Sequence, residues 1–444
     1  MTYQEFKEAV IRIASKMKVE DYELYYMESD STSVEIFKEE VSGYETEESM
    51  GICFRCIVDG KAGYASTENL DEEEAESLVV RALENAASIE EEEPCFLHKK
   101  GDTYAKCEEV KESTPSGAEL TDAAMCLQKE MYQADSRIVD GTQAYVGHGG
   151  LRCALYNSNG LDLEDKASYS YCYGMALASD GKEMYNGGKQ KFGNLKDFNM
   201  KEIAQEAVED TVSTIGADSV ASGKYNIVFS GRVMATLLST YTSVFSAEQA
   251  QKGMSLLQGK EGETIAVDAI TIVDDPMHKD CVIKRTFDGE GVATYTKNVV
   301  EDGKLITLLH NLKTAAKAGV KSTGNASKAS YASVVGVSPF NFYIRPVKGT
   351  KEEFFEIAQN GIYVTEISGL HAGANPITGD FSLSSKGFLI SDGKKAAAVK
   401  EFTVSGNFFT LLKEIERVGE DLEFLRGRIG APSVLVRNMA VAGK

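Results

Sequence analysis

The strongest constraint in this sequence is a pattern of elements that occurs twice in its N-terminal half. Apolar residues at helical spacing predict a helix over about residues 3–17, a meander of strands follows, and "NLDEEEAESLVVRALENAA" predicts a closing helix. The same order returns in "SGAELTDAAMCLQKEMYQAD", a second meander and "NLKDFNMKEIAQEAVEDTVSTI". Asn69 and Asn194 open the two closing segments about 125 residues apart. We therefore predict two helix–meander–helix units that pair into one sheet with helices on one face, an α+β fold.

The rest of the chain is rich in strand-like runs and predicts a second domain. It begins with the strand "KYNIVFS" and the helix "RVMATLLSTYTSVFSAEQAQ", has Asp-Gly hairpin turns at 301–304 and 391–394, and ends near a helix over "NFFTLLKEIERVG". We predict an N-terminal α+β domain over 1–218, with an internal duplication (about 1–90 and 115–215), and a β-rich C-terminal domain over 219–444. Residues 88–114 are polar and acidic, contain Pro94 and predict a linker between the two units.

Charge and hydropathy exclude two classes of partner. The chain has 68 acidic and 47 basic residues, a formal net charge of −21 and no basic stripe, so it repels a phosphate backbone and is not expected to bind nucleic acid directly. No apolar run approaches the roughly 18 residues needed to cross a bilayer. The charged, amphipathic N-terminus is unlike a signal peptide. We expect a cytoplasmic protein without a membrane partner.

The common catalytic and metal-binding motifs are missing from the sequence. None of its five His has a second His at helical ligand spacing, and neither H-E-x-x-H nor H-E-x-x-x-H occurs. The nucleophile elbow G-x-S-x-G and the phosphate-binding P-loop are absent as well. Cys53 and Cys56 form a C-x-x-C, but their run predicts a strand, on which residues three apart point to opposite faces. The residues therefore predict no metal and no cofactor in this chain.

One stretch, "ISGLHAGANPITGDFSLSSKGFLI" from Ile367 to Ile390, concentrates polar residues and glycines between two apolar runs. Its glycines permit positive φ or a close backbone approach, and the proline that follows Asn375 holds that residue extended. The stretch could cradle a peptide or an anion, or it could be an ordered turn in which Asn and Asp side chains bond to local backbone. Both interpretations stay open, and the candidate contact residues are His371, Asn375, Asp380 and Ser382.

Six stretches in order along the chain carry a resemblance to known proteins. They are "KYNIVFSGRVMATLL", "AEQAQKGMSLLQGKEGETI", "DGEGVATYTKNVVEDGKL", "STGNAS", "SGLHAGANPITGDFS" and "EFTVSGNFFTLLKEIERVG". Together they resemble the PmbA/TldE branch of the TldD/PmbA family, and the resemblance spans essentially the whole chain. It implies a family in which the TldD branch carries an H-E-x-x-x-H helix and a Cys zinc ligand near the C-terminus. That branch pairs with a TldE/PmbA subunit that has no such site, and an older family name is modulator of DNA gyrase.

This sequence departs from the metal-binding branch at every ligand position. The resemblance puts Ser239 and Val244 at the two His positions and Thr240 at the Glu position. Ser, Thr and Val supply neither two imidazoles nor a general base. No Cys follows Cys281, so the third ligand is missing too. The resemblance therefore implies no catalytic residue in this chain and a zinc ion in a TldD-like partner.

The function that the resemblance implies is that of a non-catalytic, TldE/PmbA-like subunit of a zinc metallopeptidase complex acting on unfolded or modified peptides. Such a subunit would pair with a TldD-like catalytic subunit and hold an extended peptide at a sheet edge. When isolated, it would be able to form a homodimer. Two alternatives stay open. One is a regulator acting on DNA gyrase, which the older family name alone favours; the other is a self-sufficient serine-type hydrolase that uses His371 with Ser368 or Ser382.

Overall fold

The computed structural model describes residues 1–90, 93–107 and 114–444. Residues 91–92 and 108–113, which fall within the predicted linker 88–114, lie outside the described residues. None of the described helices is both long and apolar enough to pass through a membrane.

The N-terminal half forms one six-stranded antiparallel sheet. Its strands are β1 (Asp21–Phe37), β2 (Glu40–Val58), β3 (Lys61–Thr67), β4 (Gln143–Asn157), β5 (Asp162–Ser179) and β6 (Met184–Gly193). Their spatial order is β3-β2-β1-β4-β5-β6. The first strands of the two meanders, β1 and β4, pair along their length, from Glu23 opposite Asn157 to Phe37 opposite Gln143. The two repeated units therefore lie side by side in a single sheet.

Four helices cover one face of this sheet: α1 (Tyr3–Lys16), α2 (Glu72–Ala87), α3 (Gly117–Ala134) and α4 (Met200–Val212). Burial alternates along β5. Cys172, Ala176 and Ala178 are fully buried in a cluster with residues of α3 and α4, while Tyr173, Met175 and Leu177 on the other face are partly exposed. The first two helices pack on Phe54 and its neighbours in a separate cluster. The predicted fold class, with two helix–meander–helix units, is confirmed here.

The C-terminal half contains many short strands and two longer sheets. The strands are β7 (Gly223–Phe229), β8 (Ile272–Asp274), β9 (Lys297–Glu301), β10 (Lys304–Leu305), β11 (Ala326–Ser327), β12 (Gly336–Val337), β13 (Phe342–Ile344), β14 (Gly361–Ser368), β15 (Asp380–Ser391), β16 (Lys394–Asn407), β17 (Ile415–Val418), β18 (Glu423–Leu425), β19 (Ile429–Ala431) and β20 (Val434–Ala442). This half is β-rich, as the sequence predicts.

One of these sheets closes on itself. Its strand order is β16-β15-β14-β7-β20-β17, and β16 also pairs with β20, where Thr403 lies opposite Ala442. Five strands therefore form a ring, and β17 extends it. The second sheet has the order β10-β9-β8-β13-β19-β18, and β11 pairs with β12 alone.

The helices of this half are α5 (Gly231–Thr240), α6 (Ala247–Gln251), α7 (Leu312–Ala318), α8 (Lys351–Ala358), α9 (Leu370–Gly373) and α10 (Phe408–Glu414). The single helix predicted over "RVMATLLSTYTSVFSAEQAQ" is wrong in extent, because α5 ends at Thr240 and a 3₁₀ turn, Thr242–Phe245, separates it from α6. The Ser, Thr and Val residues of "STYTSVFS" favour helix poorly. The last predicted helix is also shorter, since Ile415 begins β17.

The main core of the C-terminal half surrounds α5 and the 3₁₀ turn that follows it. Tyr241 stacks on Phe408 with ring centroids 4.5 Å apart, and Phe245 meets Phe342 edge to face at 5.3 Å. All four aromatic rings are buried in one large apolar cluster. The path of the chain after Thr240 is therefore set by burial of these rings rather than by helix propensity.

The two halves meet on the sheet face opposite α1–α4. Tyr25 of β1 and Cys153 and Leu155 of β4 are buried there against Phe287 of the C-terminal half. Residues of the N-terminal strands thus alternate between the helices on one side and the C-terminal half on the other.

Candidate functional site

The candidate stretch after Ile367 connects β14 to β15 through the one-turn helix α9. Gly369 and Gly379 have φ values of 82° and 83°, which glycine adopts without the strain of a side chain. Gly373 is required for space instead, because a Cβ there would lie 2.3 Å from the carbonyl oxygen of Ser382. The glycines of this stretch therefore shape a compact connection.

The polar side chains of the stretch hold its own backbone. Asn375 Oδ1 accepts hydrogen bonds from the backbone N–H groups of Ile377 at 2.9 Å and Thr378 at 3.3 Å. Asp380 Oδ2 accepts from the Thr378 hydroxyl at 2.8 Å, and Asp380 Oδ1 accepts from Asn407 Nδ2 at 2.9 Å. The bond from Asn407, and then that from Thr378, lower the pKa of Asp380. Asp380 is therefore an exposed, ionised carboxylate at neutral pH.

A serine-type hydrolase would require His371 to act as the general base for one of the candidate serines. His371 is exposed on α9, and no hydrogen bond recorded in the described part of the chain joins it to Ser368 or Ser382. The Ser382 hydroxyl lies 3.0 Å from the Ser405 hydroxyl on the neighbouring strand. A nucleophilic serine needs a general base within hydrogen-bond reach. The arrangement of these side chains does not supply that pair.

The three positions that the resemblance assigns to a metal helix lie at the end of α5. Ser239 and Thr240 form its last turn, where the Thr240 hydroxyl donates to the Thr236 carbonyl oxygen at 2.9 Å. Val244 is completely buried in the 3₁₀ turn beyond the helix. Zinc requires imidazole, thiolate or carboxylate ligands, and the described residues hold no group of three or more His, Cys, Asp or Glu placed to bind a metal. A zinc ion does not fit the side chains at these three positions.

Tyr241 connects the end of α5 to the candidate stretch. Its hydroxyl donates to the carbonyl oxygen of Asp380 at 3.0 Å, across 139 positions of sequence. Burial raises the pKa of Tyr241 to about 12, and the charge of Asp380 adds to the shift, so the hydroxyl keeps its proton and remains a donor. The structure thus brings together two features that the sequence analysis treated separately. No pattern in the amino-acid sequence predicts which distant backbone oxygen a buried tyrosine hydroxyl contacts.

Asn407 is a second residue that the sequence analysis missed. Its side-chain oxygen accepts from the backbone N–H groups of Phe409 at 3.1 Å and Thr410 at 3.2 Å, which caps α10. Its amide nitrogen donates to the Thr378 carbonyl oxygen at 2.8 Å as well as to Asp380. An Asn before an apolar run is a signal for a helix cap. The sequence does not show that the same side chain ties the cap to a stretch about 30 residues earlier.

A cluster of charged groups is buried where the N-terminal sheet meets the C-terminal half. Arg55 of β2 lies 3.3 Å from Glu23 of β1 and 3.8 Å from Glu290, and all three side chains are at most 5% exposed. Lys328 adds a second basic group, whose pKa is lowered by burial, with Nζ 4.5 Å from the centroid of the Tyr25 ring. Removing one member of such a cluster leaves an uncompensated buried charge. The cluster therefore couples the positions of the two halves.

Two carboxylates of this cluster keep a proton more readily than usual. Burial raises the pKa of Asp288, and the nearby charge of Glu290 raises it further; burial is also the main cause of the raised pKa of Glu290. Asp288 accepts backbone hydrogen bonds from Glu290, Val292 and Ala326, which favour its ionised form. Glu290 accepts one, from Leu312. We therefore assign the retained proton to Glu290.

Comparison with known proteins identifies the class to which this fold and site belong, a group of metallopeptidases. Three models of PmbA/TldA metallopeptidase domains match the chain in order: domain 1 over residues 22–86, the central domain over 111–215 and the C-terminal domain over 222–443. The chain belongs to the PmbA/TldD family. The resemblance stated from its sequence motifs is thereby confirmed.

Relatives of the chain include proteins from archaea and bacteria. An "uncharacterized protein" of Methanocaldococcus jannaschii is 32% identical over 433 residues, which cover 97% of this chain and 98% of that protein. The "Metalloprotease PmbA" of Escherichia coli O157:H7 is 26% identical over 332 residues, 73% of this chain and 70% of that protein.

Two solved structures share the fold along almost the whole chain. A "putative modulator of a DNA gyrase" from Thermotoga maritima has a TM-score of 0.91 at 31% identity, covering 99% of this chain and 100% of that chain. TldE from Thermococcus kodakarensis has a TM-score of 0.90 at 23% identity with the same coverage. At that identity the second likeness shows the fold alone.

Proposed function

We propose that this chain is the non-catalytic, TldE/PmbA-like subunit of a zinc metallopeptidase complex that acts on unfolded or modified peptides. The observation that carries the proposal is the chemistry at the end of α5, where Ser239, Thr240 and Val244 occupy the positions that the family resemblance assigns to two His and a Glu. These side chains supply neither an imidazole ligand for zinc nor a general base that activates a water molecule. The zinc and the catalytic residues would belong to a TldD-like partner.

In this proposal the residues from 367 to 382 contact the peptide or the partner subunit and take no part in catalysis. His371, Asn375, Asp380 and Ser382 are all exposed, and they are the candidates for contact with an extended peptide or with the partner subunit. The bonds of Tyr241 and Asn407 to this stretch hold it in one shape. A preorganised surface loses less conformational entropy on binding than a mobile one, which supports a contact role.

The test is a cleavage assay with an unfolded peptide, this purified chain and a TldD-like partner. We expect cleavage when both chains are present, and loss of cleavage when a chelator removes the zinc or when the metal ligands of the partner are replaced. Cleavage by this chain alone that survives the chelator would refute the non-catalytic assignment. Metal analysis of the separated chains gives an independent readout, with zinc expected on the partner.

Location and self-association belong to the same proposal. We place the complex in the cytoplasm, which the eight free cysteines favour because disulfides are rare in that compartment. We also propose that the isolated chain forms a homodimer that the TldD-like partner replaces. Light scattering of the chain with and without the partner tests this exchange, and a chain that stays monomeric at all concentrations would contradict it.

A second candidate function is regulation of DNA gyrase, which the description of the Thermotoga maritima structure favours. The net charge of −21 opposes direct contact with DNA. Such a regulator would have to act on the gyrase protein itself. Addition of the purified chain to a gyrase supercoiling reaction tests it, and an unchanged rate would remove this candidate.

A further inference from the structure

A cleft of about 890 Å³ lies between the N-terminal sheet and the C-terminal half, and residues 367–382 take no part in its lining. One wall is formed by β6 and α4. The other is formed by the beginnings of α5 and α8 together with residues of β14, β15, β16 and β18. Strands β6 and β18 are each the outermost strand of their sheet. The backbone edge of such a strand can pair with an extended peptide.

The two walls of this cleft carry opposite charge. The wall from the C-terminal half has one acidic residue, Glu423, and four basic residues, which are Arg232, Lys351, Lys395 and Arg426. The facing wall contributes the carboxylates of Glu206, Glu209 and Asp210 of α4 and the basic side chains of Arg137 and Lys189. Lys189 pairs with Glu206 at 2.7 Å, and Arg137 pairs with Asp135 at 2.6 Å. A concentration of positive charge on one surface is notable in a chain with a net charge of −21.

The four basic side chains form no ion pair within the described ranges of the chain, and two of them interact unfavourably. Burial and then the charge of Lys351 lower the pKa of Lys395. The ammonium of Lys395 lies 3.6 Å from the centroid of the Phe388 ring. Ser230, which caps the positive end of the ten-residue helix α5, lines the same cleft. An anion bound here would relieve the repulsion between the two lysines.

The facing carboxylates of α4 limit which anion fits. A peptide with acidic side chains along its length would be repelled by Glu209 and Asp210, whereas the charge of Glu206 is compensated by Lys189. A peptide with a single negative charge at its end, and neutral or basic side chains before it, would match both walls. Aromatic rings of Tyr363, Phe388 and Phe424 line the cleft between the charged groups and offer apolar surface for its side chains.

We propose that this cleft binds the C-terminal end of an extended peptide, with the terminal carboxylate held by Lys351 and Lys395 and the basic side chains of the peptide facing α4. The inference rests on the proposed function in that it assigns a peptide to this subunit, and it adds which end of the peptide the subunit recognises. It also places recognition in the cleft between the two halves instead of at the stretch 367–382.

The test measures binding of a short lysine-containing peptide, labelled with fluorescein at its N-terminus, to the isolated full-length chain by fluorescence anisotropy. The peptide is used as the free acid and as the C-terminal amide. We expect the free acid to bind about tenfold or more tightly than the amide, since charge-assisted hydrogen bonds are the strong ones. In the double variant Lys351→Ala/Lys395→Ala both forms should bind with the weak affinity of the amide.

The matched control is the double variant Lys348→Ala/Lys394→Ala, which removes two lysines from the same segments but outside the cleft lining. It should keep the full preference for the free acid. Equal binding of acid and amide to the native chain would overturn the inference, and so would an equal loss in both double variants. The assay uses no partner and no cleavage, so its failure would leave the non-catalytic subunit assignment to be judged by the cleavage assay.

Discussion

Arg55 shows at the residue scale how one side chain couples the two halves of the molecule. Its guanidinium lies between the buried carboxylates of Glu23 and Glu290, which belong to different halves. Replacement Arg55→Met leaves the buried carboxylate of Glu23 without its cation and Glu290 without its basic neighbour. We expect the free energy of unfolding to fall by about 3–5 kcal/mol, the usual consequence of breaking a buried pair. Urea unfolding followed by circular dichroism measures the change.

The control for this prediction is Arg12→Met. Arg12 pairs with Glu72 at 3.0 Å, but their side chains are 63% and 74% exposed. Solvent and salt screen such a pair, so its removal should change stability little. Losses of similar size for Arg55→Met and Arg12→Met would show that the buried cluster does not act as we infer.

The retained proton on Glu290 predicts a dependence of stability on pH. A carboxyl group whose pKa is raised in the folded state stabilises that state fully below its ordinary pKa, about 4, and the contribution is lost as the pH rises toward the raised value. Burial is the main cause of the raised pKa here. In Glu290→Gln this contribution cannot titrate. We expect the native protein to lose about 1 kcal/mol or more relative to Glu290→Gln between pH 5 and pH 8.

Unfolding in urea at several pH values gives this comparison directly. The charge at position 290 also shifts the pKa of Asp288, so the difference between the two free energies reports the titration of this coupled pair of carboxyl groups. A difference that stays constant from pH 5 to pH 8 would place the proton elsewhere in the cluster.

At the scale of elements, the end of α5 and the start of α10 decide how the candidate stretch is held. Tyr241 follows α5 and bonds to the backbone of Asp380, while Asn407 caps α10 and bonds to the side chain of the same residue. Two element ends that are far apart in sequence therefore meet at one position of β15. The interruption of the predicted long helix at Thr240 is what allows Tyr241 to reach it.

The double role of Asn407 gives a prediction at this scale. Asn407→Ala removes the cap of α10 and two tethers to the candidate stretch, so we expect a loss of about 2–3 kcal/mol, compared with about 1 kcal/mol for a cap alone. Asn199→Ala is the control, because Asn199 caps α4 through one bond to the backbone of Glu202. Thermal and urea unfolding measure both losses. Equal losses would mean that the tethers contribute nothing to stability.

At the scale of the whole molecule, the distribution of charge favours some candidate functions over others. The chain carries a net charge of −21, and the basic wall of the cleft faces the carboxylates of α4. A duplex cannot approach that wall without meeting the acidic one. This distribution is compatible with peptide binding and with action on another protein, and it opposes direct binding to a nucleic acid backbone.

A gel shift with duplex DNA tests this charge argument. We expect no shift of the DNA at 50 mM salt with micromolar chain, a condition that strengthens any contact with phosphate. Heparin-bound resin should fail to retain the chain under the same conditions. A shift that weakens steeply as salt is raised would reveal a basic surface that the net charge conceals, and it would revive a role on DNA.

Much of the fold could be predicted because its signals are local. The spacing of apolar residues in each N-terminal unit marks helices and strands over many residues, and the repeat of that order indicates one shared sheet. The candidate site was predicted less well. His371, Asn375, Asp380 and Ser382 stand out by their neighbours, but the residues that hold them, Tyr241 and Asn407, act across long sequence separations and resemble ordinary core and cap positions.

The amino-acid sequence was sufficient to predict the repeated architecture and the family, and it shows that no H-E-x-x-x-H motif is present, because each depends on residue identity and order alone. Folding in three dimensions was needed to place Tyr241 against Asp380, to bury Arg55 between two halves and to gather Lys351 and Lys395 opposite α4. These contacts depend on which surfaces pack together, and packing is set by burial summed over the whole chain. No single stretch of sequence contains that information.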